Sequence, residues 1–203
     1  MGASYANISV WGAGQRRIAD WISSANIAAV VGPDEGEWCV FSDVFTDMMD
    51  YKFLREILTA SSKSGRLAVG ISVYDEDVFR LWLAADGEMR STYISCPGME
   101  PGMETDDPDI DDMRPVLTGS DAWLELFPAI GSEQKILDVF RIESNEDYID
   151  PIELHEEIVT LLQLPRYSLD FGYSYVTEAN YGFEDSEKIL KNTKIIEGRR
   201  SYF

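Results

Sequence analysis

The stretch from residue 67 to residue 95 constrains the fold most. Leu67, Val69, Ile71 and Val73 alternate strictly with small or polar residues, the period-two signature of a strand with one apolar side. A polar turn at Asp75-Glu76-Asp77, an apolar run over 78–85, a second turn at Asp86-Gly87 and residues 89–95 follow, which predicts three strands in a meander.

Upstream, Ala6, Ile8 and Val10 fall on one side of residues 4–11, predicting a half-buried strand. Ile18, Trp21, Ile22 and Ala25 then follow helical spacing over residues 14–25. Residues 27–31 and 38–42 flank Gly32-Pro33-Asp34-Glu35-Gly36 and read as a hairpin. Phe53, Leu54, Ile57 and Leu58 form an apolar stripe on a helix of roughly 47–63, closed by Ser64-Gly65. The order strand, helix, strand, strand, helix, strand predicts an α+β fold with a ferredoxin-like (split βαβ), antiparallel-rich sheet and two extra strands.

Residues 96–113 carry three prolines, two glycines and seven acids, a composition for an exposed loop or linker. Beyond it, Ser120 or Asp121 is placed to cap a helix bearing Trp123, Leu124 and Phe127, and Ser132 another bearing Ile136, Leu137 and Phe140. Asp150-Pro151-Ile152-Glu153 combines a cap, proline at the first helical position and a capping-box acid, so a helix should run from there to Leu164. Tyr167 to Thr177 reads as a last strand pair or an edge strand. The expected organisation is a core over 1–95, a linker over 96–113, and an acidic, mainly helical part with a final strand over 114–203, packed on the core.

Charge narrows function. The chain carries a formal net charge of −20, and residues 96–160 hold 18 Asp and Glu against 3 Lys and Arg. Such a block disfavours nucleic acid and anionic membrane as partners and favours either plain solvation or a basic protein partner. No apolar run reaches the ~20 residues of a membrane-spanning helix, and the first residues lack the pattern of a signal peptide. Together with only Cys39 and Cys96 and no CxxC pair, this points to the cytoplasm.

The motifs that suggest chemistry each fall short. Gly12-Ala13-Gly14 sits between a strand and a helix, but Arg17 replaces the third glycine of a dinucleotide fingerprint. Asp107, Asp109 and Asp111 open like a calcium loop, yet Asp112 stands where the turn glycine belongs and Thr118 where the bidentate glutamate belongs. His155 is the only histidine and has no partner for a zinc helix; a pairing with Cys39 or Cys96 is open from spacing alone. The expectation is therefore no enzyme, no cofactor and no metal.

The candidate partner-binding residues are Glu146, Asp147, Asp150, Glu153, Glu156 and Glu157 as a charge field, with Tyr148 as an aromatic anchor. A ligand-sensing or dimeric regulatory module is the alternative, and a homodimer stays open.

The run from Gly2 to Val10, the run from Leu161 to Tyr175, and Val73 to Leu83 with Gly87 and Glu88 resemble a set of uncharacterised bacterial proteins. That similarity implies no activity. In size, acidity and general character the chain also looks like bacterial toxin-immunity proteins, which implies a role in occluding a basic toxin domain.

Overall fold

The computed structural model describes residues 4–99, 114–143, 149–178 and 186–198. The predicted strands and helices of the first half form as β1 (Tyr5–Trp11), α1 (Gln15–Ser24), β2 (Ala29–Val31), β3 (Trp38–Asp43), α2 (Val44–Asp47), α3 (Tyr51–Ser64), β4 (Leu67–Tyr74), β5 (Val78–Ala85) and β6 (Glu88–Ile94). The expected helix over 47–63 is split. Asp43 Oδ1 accepts from Phe45 N and Thr46 N to start α2, and Asp50 accepts from Phe53 N to start α3.

Later elements are β7 (Val116–Thr118), α4 (Asp121–Leu126), α5 (Glu133–Val139), α6 (Pro151–Leu162), α7 (Tyr173–Thr177), α8 (Ser186–Asn192) and β8 (Lys194–Ile196). They form one eight-stranded sheet in the order β7-β6-β5-β4-β1-β3-β2-β8. Every neighbouring pair is antiparallel. The chain is thus a mixed helix and sheet protein, and both ends of the sheet are supplied by segments beyond residue 114.

Both faces of the sheet are covered. On one, α1 and α3 press Ile18, Ile22, Leu54 and Leu58 onto Ala6, Ile8, Val10 and Phe41. On the other, α4, α5 and α6 press Trp123, Ile136, Phe140, Leu154, Ile158 and Leu162 onto Val69, Ile71, Val73, Phe79, Leu81 and Leu83. Strand β1 is therefore not half-buried: residues 5 to 10 are all buried. Against β4 a large residue faces a small one in both senses, with Ile8 of β1 against Gly70 and Ser9 of β1 against Val69. A side chain at Gly70 would come within 3.2 Å of Leu54 on α3. The two strands thus share the filling of both faces.

The region 166–177 overturns the strand expected there: Arg166–Ser168 is a 3-10 turn and Tyr173–Thr177 is α7. It packs on β2 and β3 through Tyr167, Phe171, Tyr173 and Val176. Its backbone is tied down by side chains of β1 and α2, the first buried and the second partly buried. Asn7 Nδ2 donates to Ser168 O (2.8 Å) and Phe171 O (3.2 Å), and Asp47 accepts from Tyr173 N and Ser174 N at the start of α7. Burial raises the Asp47 pKa, and the Ser174 hydroxyl and amide oppose that rise. Gly32 lets Tyr167 close onto the sheet, since a Cβ there would lie 2.6 Å from the ring.

Candidate functional site

Helix α6 carries most of the described candidate residues. Proline at its first position and Asp150 Oδ1, which accepts from Ile152 N and Glu153 N, start the helix where the sequence predicts. Leu154, His155, Ile158, Val159 and Leu162 then turn inward. That spacing leaves Glu153, Glu156, Glu157, Thr160 and Gln163 on the outward side.

These five residues line a shallow groove of about 600 Å³ with Ala129, Lys135, Val139 and Leu161. Val139 and Leu161 provide an apolar floor. Glu153 and Glu156 are exposed. Glu157 is drawn aside by Arg141 Nη2, 2.7 Å from its Oε1, in a half-exposed pair. Lys135 lies on the same rim, so local cations offset part of the acidic field. Asp150 spends one oxygen on its cap. Glu146, Asp147 and Tyr148 lie outside the described residues, as do Asp107, Asp109, Asp111 and Asp112.

His155 is engaged rather than presented. It is fully buried, its Nδ1 shares a 2.7 Å hydrogen bond with Tyr5 Oη, and its ring stacks on Tyr5 at 5.7 Å and tilts against Phe79 at 5.9 Å. Its Nε2 makes no hydrogen bond among the described residues, so no bond to Cys96 or Cys39 forms. Burial pushes its pKa down to about 3, and the neutral imidazole belongs to the core. Cys39 is also buried, and its thiol is pushed up to about 12 by the same desolvation. Among the described residues, no group of three or more His, Cys, Asp or Glu is arranged to hold a metal ion. No helix among them is long and apolar enough to cross a membrane.

A second concavity, of about 550 Å³, lies on the opposite face between α3 and the strands β5 and β6. It was not anticipated from sequence. The available signal was Arg80, a lone cation inside the apolar run 78–85, at a position whose neighbours Trp82 and Ala84 face the same helices. The glycine-rich turn at Gly12 to Gly14 has its own structural use: Asp34 Oδ1 accepts from Gln15 N (2.5 Å) at the start of α1.

No protein-family model, curated protein or solved structure matches the chain.

Proposed function

We propose that this chain is a non-enzymatic binding protein that offers the outward side of α6, with its groove, to a basic protein partner. The observation that carries the proposal is the pair of exposed carboxylates, Glu153 and Glu156, beside the apolar floor of Val139 and Leu161. Apolar contact supplies affinity at such a surface, while the acids set approach and orientation. The surrounding sequence strengthens the field: residues 121–162 hold eleven acids against Lys135 and Arg141. Asp150 adds its remaining charge at the helix start, and Glu146, Asp147 and Tyr148 extend the surface in sequence.

In this reading the partner is a toxin domain, the chain works in a bacterial cytoplasm, and inhibition needs no chemistry. The carboxylates occupy cationic groups that otherwise hold phosphates, and bulk excludes the substrate. We read the order β4-β1-β3-β2, with α1 and α3 on one face, as a ferredoxin-like core over 1–95. Strands β5 and β6 extend it, and 114–203 is the acidic part packed on it. A ligand-sensing module is the second reading, supported by the concavity at Arg80.

The test is kinetic. The basic protein captured from the native cell at low salt should associate more than tenfold faster at ~50 mM than at ~500 mM salt. Glu153→Gln with Glu156→Gln should slow association several-fold at low salt and leave it nearly unchanged at high salt. A rate insensitive to both salt and substitution contradicts the proposal.

A further inference from the structure

The inward side of α6 meets an inner strand of the sheet at two polar side chains, Tyr5 of β1 and His155 of α6, both fully buried. Tyr5 Oη lies 2.7 Å from His155 Nδ1, and the two rings stack at 5.7 Å, with Phe79 closing the other side of the imidazole at 5.9 Å. The backbone of Asp170 also bears on Tyr5, in the sense that favours loss of the phenol proton, as an N–H directed at the oxygen does. This assigns the phenol hydrogen to the bond with Nδ1, and the ring proton of the neutral imidazole to Nε2. Nε2 makes no hydrogen bond among the described residues. A buried N–H in that state is costly, and an apolar side chain of similar size would fill the same space without the penalty, so packing alone does not account for a histidine here.

The pair sits in a negative field. Burial is the largest cause that raises the Tyr5 pKa, and the charges of Asp170 and Glu156 add to it. Loss of the proton alone, to leave a phenolate, is thereby suppressed. Loss of an electron is favoured by the same carboxylates, because they attract the positive hole it leaves on the ring. An oxidised phenol is a far stronger acid than an imidazolium, so His155 accepts its proton even though burial holds the imidazole pKa down to about 3.

A path to the surface runs through a neighbouring ring. Tyr175 of α7 stands edge-on to Tyr5 with ring centroids 6.3 Å apart, and it is only half-buried. Rings in contact at this range exchange an electron without the oxidant having to enter the core. The proton needs no such path, since its acceptor is already in place at Nδ1.

We propose that Tyr5 and His155 form a one-electron redox site, in which a peroxide-derived radical at the surface takes an electron by way of Tyr175 and Tyr5 becomes a neutral phenoxyl radical. One electron passes from Tyr5 to the oxidant, which is reduced by one. The phenol O–H bond breaks as an N–H bond forms at His155 Nδ1, leaving an imidazolium beside the radical. Return of an electron to Tyr5 reverses both transfers. The site uses the inward side of α6 and requires no partner on the outward side, so it stands or falls apart from the binding reading.

The probe oxidant is photogenerated tris(bipyridine)ruthenium(III), a cation drawn to the acidic chain, with electron paramagnetic resonance and transient absorption as readouts. The wild type should give a long-lived neutral tyrosyl radical that forms more slowly in heavy water, because proton and electron leave together. Tyr5→Phe should lose that signal. Tyr93→Phe, which removes a buried hydroxyl that makes no hydrogen bond among the described residues, should keep the wild-type yield. His155→Gln should slow formation about a hundredfold, the size of a lost positioned base. The wild-type spectrum and isotope effect need no substitution, so they decide the question even where a core variant fails to fold. Radicals on tryptophan alone, equal rates in light and heavy water, or equal losses in Tyr5→Phe and Tyr93→Phe would each overturn the proposal.

Discussion

The two faces of the sheet are covered in different ways. The α1/α3 face is closed by helices that lie between the strands they cover, so each packing element is a near neighbour in sequence of its target. The opposite face is closed from a distance. Trp123, Phe140 and His155 reach strands that ended by residue 94, and the irregular turn around Ser168 is bonded to Asn7. The first face leaves a concavity whose lining includes Lys52, Arg55, Glu56 and Arg80, the second a groove whose lining includes Lys135, Glu153, Glu156 and Glu157. The lesson is that a face covered by its neighbours in sequence can be read from local pattern, whereas a face covered from a distance cannot.

The sharpest way to break this comparison is to empty the distant cover. Phe140 is fully buried and packs between Tyr93 (4.7 Å) and Trp123 (5.4 Å). Phe140→Ala should cost about 3–5 kcal/mol in urea unfolding, as truncation of a core aromatic does. A loss below about 1 kcal/mol would mean that the cover is only loosely attached.

A smaller effect distinguishes the faces by pH. His155 is neutral when folded, with its pKa depressed from 6.5 to about 3, whereas the unfolded chain takes up a proton below 6.5. Stability from this residue is complete above pH 6.5 and is lost as pH falls toward the folded value. The loss is roughly 1.5 kcal/mol between pH 6.5 and 5. Asp43, Asp47 and Asp170, whose pKa values are raised mainly by burial, act in the opposite direction. His155→Gln should therefore be less stable at pH 7 and should lose the destabilising slope below pH 6.5; an unchanged slope would remove the histidine from the account.

The smallest expected effect concerns the groove's scaffold. Asp150→Ala removes the acceptor for Ile152 N and Glu153 N and should cost about 1 kcal/mol. Thermal unfolding at neutral pH checks it. A change within experimental scatter would show that α6 is held by its buried stripe alone.

Legibility from sequence follows the same divide. Alternation in β4, the stripe of α3 and the caps at Ser132 and Asp150 are local signals, and each marks an element that forms. Ser120 stands at the start of α4 but makes no capping bond with its side chain. Asn7 and Ser9 look like the wet side of a strand because polar residues at period two usually are. Both are buried, and Asn7 is covered by a segment more than 150 residues away to which its amide donates. The strand expected over 167–177 fails for a related reason. Its aromatic residues are there to pack on β2 and β3, and aromatic density alone does not distinguish a packed turn from a strand. Within the candidate site, α6 was legible from its cap and stripe. The Arg141 partner of Glu157 and the Lys135 rim were not, because they come from a neighbouring helix.

The central claim, that the acids beyond residue 114 act together as one outward surface on α6, is tested most directly by amide chemical-shift mapping with a hexalysine peptide at ~50 mM salt. The account predicts shifts concentrated at Lys135, Val139 and Glu153 to Gln163 that vanish at ~500 mM salt. Shifts of equal size spread over α1, the β4–β5 turn and α8 would contradict it.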